Sequence, residues 1–195
     1  MKKFYTGVGS RETPKDIQDL IEDLAVALSL DGWTMRSGGA DGADSAFERG
    51  VDSIKGEKEI YVPWHGFNGR HSIDSFSFMS LDDCNSEYAF SLASSIHPAW
   101  DRLSKGAKKL HARNVFQVLG SCNDIQMPSS FLVCWAKRDK HGIPVGGTRT
   151  AWVVAVSHGI PCYNLIDDID RQNIMNYINK DKNDSHQSDR SQSSN

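Results

Sequence analysis

Hydrophobic and polar positions change period along this chain in a repeating order. The stretch "KKFYTGVGS" (2–10) is a short apolar run that stops at a glycine turn, the pattern of a buried strand. Ile17, Leu20, Ile21, Leu24 and Leu28 follow at three- and four-residue steps and so share one face of a helix, with Pro14 at its first position and Thr13 as its cap. "GWTMR" (32–36) reads as a second strand, "ADSAFERGVDSIK" (43–55) as a second helix with Ala43, Ala46, Phe47 and Val51 inward, and "KEIYVP" (58–63) as a third strand. Between 64 and 97 the periodicity fades, and the pattern predicts loops with one short helix near "SEYAFSLASS" (86–95). From 97 to 120 helical spacing returns, with Leu103, Leu110, Val115, Val118 and Leu119 as inward positions. A strand "SFLVCWA" (130–136) and a loop "KRDKHGIPVGG" (137–147) lead into a helix "TRTAWVVAVSHG" (148–159) closed by Gly159. A strand "IPCYNL" (160–165) and a terminal helix "DDIDRQNIMNYIN" (167–179) complete the order.

Strand, helix, strand, helix, strand is the first half of a doubly wound sheet. The expected fold class is therefore α/β, a mainly parallel sheet with helices on both faces, Rossmann-like in plan. At 195 residues the chain fits one such domain over 1–179. The stretch 180–195 carries no apolar residue and is expected to be a disordered polar tail. No apolar run approaches the roughly 20 residues that a membrane span needs. No signal-peptide stretch follows the N-terminal lysines, so a cytoplasmic location without a membrane partner is the expectation. Cys84, Cys122, Cys134 and Cys162 form no C-x-x-C pair and read as reduced thiols. The histidines show no ligand spacing, so neither metal nor cofactor is expected. A net charge of -3 gives no overall attraction to nucleic acid and leaves only local contacts.

Three glycine-containing turns fall where predicted parallel strands end and helices begin: "TGVGSRE", "SGGADGAD" and "VGGTRTA". That edge of an open sheet is where ligands bind, and each following helix offers an anion its unpaired N–H groups and the positive end of its dipole. The candidate phosphate-binding residues are Gly9, Ser10 and Arg11 from the first turn, and Ser37, Gly38, Gly39, Gly42 and Asp44 from the second. The third turn contributes Gly146, Gly147, Thr148, Arg149 and Thr150. The glycines would let backbone approach the ligand. Arg11, Arg113 and Arg149 could each fork onto phosphate or form surface salt bridges, and Asp41 could accept from a ribose hydroxyl or cap the next helix. Arg102, Lys105, Lys108, Lys109 and Arg113 make a basic run that could meet nucleic acid or be a solvated helix face. Trp64, Phe67 and Trp100 could stack on a base or pack the loop.

The combination "GVGSRETP", "SGGADGADSAFERG", "KKLHARN" and "GGTRTAWVVAVSHGIP" resembles the SLOG superfamily of Rossmann-like nucleotide-binding proteins. That superfamily joins the DNA-processing protein A family to the LOG phosphoribohydrolases. The resemblance spans most of 4–165 and leans towards the DNA-processing protein A branch. It implies a nucleotide-like ligand at the carboxyl edge of the sheet, and a homo-oligomer. In the LOG pattern an arginine beside the glycosidic bond works with the glutamate that ends the motif P-G-G-x-G-T-x-x-E. Arg113 matches the arginine, which makes Arg113 and, from the second turn, Asp41 the catalytic candidates; Asp44 and Glu48 are the other carboxylates that could serve. Val145 stands in place of the proline, Arg149 in place of a glycine and Val153 in place of the glutamate, so hydrolysis by the usual pair is not implied. The functions to separate are a nucleotide-binding protein, acting as an N-glycosidic hydrolase or a sensor, and a single-stranded DNA-binding protein that helps load a recombinase.

Overall fold

The computed structural model describes residues 2–70, 77–120 and 127–192, with side chains as far as 180. Six strands form one sheet: β1 (Lys3–Gly9), β2 (Trp33–Ser37), β3 (Lys58–Val62), β4 (Phe78–Ser80), β5 (Leu132–Trp135) and β6 (Cys162–Asn164). Their order is β4-β3-β2-β1-β5-β6, with every neighbouring pair parallel. The helices are α1 (Lys15–Leu30), α2 (Ala43–Ser53), α3 (Glu87–Ile96), α4 (Lys105–Leu119), α5 (Thr148–Ser157) and α6 (Asp168–Gln192). This is the expected doubly wound α/β class. The order of winding reverses between β1 and β5, which opens a crevice at their carboxyl ends, where Gly9 is level with Trp135.

Parallel strands covered on both faces must be apolar on both faces, and the two cores follow from that. Tyr5, Met35, Ile60 and Val133 point to the side of α1, α2 and α6, where Ile21, Leu24, Phe47 and Val51 are fully buried. Val8, Tyr61, Leu132 and Cys134 point to the other side, against Val115, Val118, Leu119 and Val154. The inward residues expected on α1 and α2 are thus core, apart from the half-buried Leu20, each buried Ile, Leu, Val or Phe side chain contributing about 1.5–3 kcal/mol. On α4, Leu110 is only half-buried and faces the crevice.

Several boundaries differ from the sequence pattern. Residues 64–97 hold a fourth strand, β4, in addition to the expected helix; it pairs with β3 from Ile60–Phe78 to Val62–Ser80. The helix α4 starts at Lys105, where the Ser104 hydroxyl accepts from Ala107 N–H at 3.2 Å, and a separate turn of 3-10 helix covers Trp100–Arg102. Pro14 rather than Thr13 is the residue before α1, and Thr13 instead donates to the Ser10 carbonyl at 2.6 Å. Cys84 is disulfide-bonded, against the reading of reduced thiols, whereas Cys134 and Cys162 are free; Cys122 lies outside the described residues. The backbone of α6 continues to Gln192, into the stretch read as a tail.

α1 and α2 lie side by side because α2 carries Gly50 at their contact. A Cβ there would lie 2.5 Å from the Glu22 carbonyl oxygen and 2.7 Å from Ala25 Cβ. Replacing Gly50 by alanine gains about 1 kcal/mol of helix propensity, but the obstacle is backbone, and overpacking costs typically 1–3 kcal/mol. Gly50→Ala is therefore expected to destabilise, with a melting temperature lower by a few degrees in a calorimetric scan.

Candidate functional site

The first two turns are built on one another. Ser10 N–H donates to the Trp135 carbonyl at 2.9 Å, tying the end of β1 to the end of β5. The Ser10 carbonyl accepts from Ala43 N–H at 3.2 Å, at the start of α2. Gly42 makes this approach possible: its φ is +80°, and a Cβ there would lie 2.7 Å from Arg11 Cα and 2.8 Å from the Arg11 carbonyl oxygen. Glycine serves here to let two turns touch, not to admit a ligand.

At their junction sits Asp44, in the first turn of α2 and 3% exposed. One carboxylate oxygen accepts from Gly9 N–H at 3.1 Å and the other from Ala40 N–H at 3.3 Å. Arg113 of α4, 6% exposed, faces it at 4.0 Å. The guanidinium of Arg113 donates to the Gly38 carbonyl and, at 3.3 Å, to that of Tyr61. Burial pushes the Asp44 carboxyl above its ordinary range, with the Arg113 charge and the backbone N–H groups pulling the other way. Burial likewise weakens the hold of Arg113 on its proton; Asp44 opposes this, and the charges of Arg11 and Arg70 add to it. At 4.0 Å the pair does not cancel the cost of burying either charge.

The helix α4 ties the second turn to the third. A Cβ on Gly38 would collide with the Arg113 guanidinium and the Gln117 amide. With its oxygen turned to Gly38, the Gln117 amide accepts from Gly38 N–H at 3.0 Å and donates to Asn114 Oδ1 at 3.2 Å. Asn114 in turn donates to the Gly147 carbonyl at 2.7 Å. The outer side of the second turn is covered by the segment 64–70. There Asn68 donates to the Gly39 carbonyl at 3.1 Å, and Arg70 pairs at 2.5 Å with Glu48, which also holds Lys58 at 3.0 Å. Burial raises the Glu48 carboxyl, but the bonds from Arg70 and Lys58 outweigh it and hold it low.

The third turn is more open. A Cβ on Gly146 would meet nothing within 4 Å. Among the described residues, nothing accepts from the backbone N–H groups of Gly146, Gly147 and Thr148 at the start of α5. Arg149 turns away from them to pair with Asp139 at 2.8 Å, and that bond, with N–H groups of Ile143 and His141, holds the Asp139 carboxyl down to about 2. Thr150, 1% exposed, puts its hydroxyl 2.7 Å from His111 Nδ1. Burial, then the neighbouring charges of His97 and Arg113, lower the His111 imidazole to about 4, so it is neutral at pH 7.

These elements enclose a cleft of about 380 Å³. Of the residues proposed from sequence, Gly9, Ser10, Arg11, Asp44, Arg113, Gly146, Gly147 and Thr148 line it. Ser37, Gly38, Gly39, Gly42, Arg149 and Thr150 lie behind it or beside it, and Asp41 is exposed and outside it. The sequence reading missed His111, Asn114 and Gln117, which line the cleft with Ala107 and Leu110. Their three- and four-residue spacing along α4 is the signal that could have found them. Among the described residues, Arg113 Nε is buried without a hydrogen-bond partner. Among the described residues no three His, Cys, Asp or Glu side chains converge as metal ligands, and no helix is long and apolar enough to cross a membrane.

An all-parallel sheet with a cleft at its winding reversal defines a Rossmann-like α/β protein. More closely, the fold is that of DNA processing protein A. The chain matches the Helicobacter pylori protein, described for its single-stranded DNA binding mode, at 17% identity and a TM-score of 0.56, over 94% of this chain and 81% of that one. The Streptococcus pneumoniae DNA processing protein A matches at 16% identity and 0.49, over 84% of this chain and 50% of that one. The molybdenum cofactor carrier protein of Chlamydomonas reinhardtii matches at 13% identity and 0.45, over 84% and 76%. No protein-family model and no curated protein sequence matches the chain.

Asp44→Ala would leave Arg113 buried without a counter-charge and two N–H groups without an acceptor. The expected loss is about 3–5 kcal/mol, read as a lower denaturant midpoint, with a smaller loss for Asp44→Asn, which keeps an acceptor oxygen. Between pH 6.5 and about 4 the unfolded chain binds a proton on His111 that the folded chain does not, so stability falls as pH drops through that window. On a part-exposed ring this is on the order of 1–2 kcal/mol after screening. Thermal melts from about pH 7 to about pH 4.5 are expected to fall less steeply for His111→Gln than for the unmodified chain.

Proposed function

We propose that the cleft binds the phosphate of a nucleotide-like ligand. The observation that carries this is the convergence on one cavity of three N–H groups without acceptors, at Gly146, Gly147 and Thr148, with the exposed Arg11 and the buried Arg113. The negative end of the cleft is already committed. Asp44 occupies the start of α2 and spends both oxygens on Gly9 and Ala40, so an anion is favoured beside α5 and Arg11 and disfavoured at the second turn.

The same features favour binding over N-glycosidic cleavage. Of the carboxylates that could assist a leaving base, Asp41 and Glu48 do not line the cleft, Glu12 lines it but is exposed and paired with Lys137 at 2.9 Å, and Val153 keeps its place on α5 with no carboxylate to offer. Asp44 lines it as an acceptor for backbone N–H groups, and such bonds favour the anion over the proton-donating acid. Arg113 is then a residue that positions the ligand.

A second reading has its own support: the fold match covers 94% of this chain against a protein described for binding single-stranded DNA. In that reading the cleft holds one backbone phosphate of a strand. The basic run of α4 supports it weakly, since Lys109 pairs with Asp82 and Lys108 lies 5.5 Å from the centre of the Trp100 ring.

Calorimetric titration separates the two. Nucleoside monophosphates are expected to bind with shallow salt dependence, to lose about tenfold in affinity in Arg11→Ala, and to remain uncleaved on prolonged incubation. Binding of oligo-dT with a steep salt slope, and none of any mononucleotide, would replace this reading with the second.

A further inference from the structure

Among the described residues that line the cleft, His111 carries the only aromatic ring. The aromatic side chains that could have received a base are engaged elsewhere: Trp64 packs edge-on against Phe67 at 5.4 Å and Trp100 against Phe90 at 6.3 Å, and neither tryptophan lines the cleft.

The His111 ring is held in place from two sides. Its Nδ1 lies 2.7 Å from the hydroxyl of Thr150, and Thr150 sits in the first turn of α5, two residues beyond Thr148. His97 braces it with a tilted ring, centroids 4.5 Å apart and planes at 61°. His97 is itself fixed, its Nδ1 accepting from Ala99 N–H at 3.2 Å. The bond to Thr150 therefore ties the imidazole to the first turn of α5, and the ring lines the same cleft as Gly146 to Thr148 at the start of that helix. Its uncharged state lets a base lie against it without first stripping water from a cation.

We infer that His111 is the base platform of this cleft, its imidazole stacking on the nucleobase of a ligand whose phosphate lies on Gly146 to Thr148. The inference rests on the phosphate reading above and narrows it: the ligand class is a nucleotide, discriminated from a sugar phosphate by one ring. Thr150 and His97 are positioning residues that set the ring without touching the ligand.

The test is a ratio of affinities, measured by calorimetry on the full chain: each of the four common ribonucleoside monophosphates against ribose 5-phosphate. The unmodified chain is expected to prefer at least one nucleotide by about tenfold, the scale of a single base–aromatic stack. His111→Ala is expected to bring that ratio close to one. His111→Phe, which keeps a ring and loses the nitrogens, is expected to retain most of it, and Thr150→Val, which frees the ring, to lose part. Circular dichroism establishes that each variant is folded; should His111→Ala fail that check, His111→Phe and Thr150→Val decide the outcome. A ratio unchanged in His111→Ala, or lost in a folded His111→Phe, overturns the inference. Equal affinity of the unmodified chain for nucleotide and ribose 5-phosphate overturns it while the phosphate reading stands, and no binding of either removes both.

Discussion

Three segments of the chain meet at one buried carboxylate. Asp44 receives N–H groups from the end of β1 and from the second glycine turn, and it faces the guanidinium that α4 delivers to the same point. The charge pair alone does not explain why this arrangement is kept, because two charges at 4.0 Å in a buried site recover little of the hydration they lose. The hydrogen bonds around it supply what the pair lacks. Arg113 bonds to the Gly38 and Tyr61 carbonyls, and Gln117 and Asn114 extend the connection to Gly147 on the far side of the crevice. Asp44 therefore fixes the spacing between two turns, and through Arg113 the seating of α4 against the sheet. Without that seating the crevice at the winding reversal would have no third wall.

This explains why three turns that look alike in sequence are not equivalent in space. The helix after the second turn has its positive end occupied from within by Asp44, and its glycines are covered by Arg113 on one side and by the segment 64–70 on the other. The helix after the third turn begins with three N–H groups open to the cleft. An internal anion serves one terminus, and the other has none within the described residues. The proposed phosphate seat is thus set as much by where the protein placed its own carboxylate as by where it placed glycine.

Much of the fold was legible because its elements are long enough to show a period. Ile17, Ile21, Leu24 and Leu28 lie three or four residues apart and are all buried on one face of α1. β4 was not legible: Phe78–Ser80 is a three-residue edge strand, defined by its pairing with β3 and by no pattern of its own. The site divides in the same way. That Gly9, Asp44 and Gly146 to Thr148 share a cleft followed from their position in turns after strand ends, and Arg113 was singled out by the motif it belongs to. The role of Gly38 did not, because what crowds it is the side chain of Arg113, 75 residues away, and no local signal carries that relation. The choice between Asp41 and Asp44 turned on where α2 begins: Asp41 lies in the exposed turn before Gly42, and Asp44 in the buried first turn of the helix. On α4 the motif "HARN" pointed to Arg113, while His111 and Asn114 within the same four letters needed the direction of the helix face.

The same hydrogen-bond pattern bears on what the cleft is suited to do. A carboxyl group that protonates a departing base must hold a proton beforehand and give it up at the moment of bond breaking. Burial favours the protonated form of Asp44, but the N–H groups of Gly9 and Ala40, one on each oxygen, and the charge of Arg113 pull towards the anion. Where the LOG pattern places a glutamate on the helix after the third turn, this chain has a half-buried valine, which adds packing and no proton. Arg113, by contrast, has donors to spare: two carbonyls occupy part of its fork, and its Nε is left buried without a partner. A carboxylate tied to the backbone beside a guanidinium with an unused donor is the balance that supports the anion-binding proposal over one that needs proton transfer.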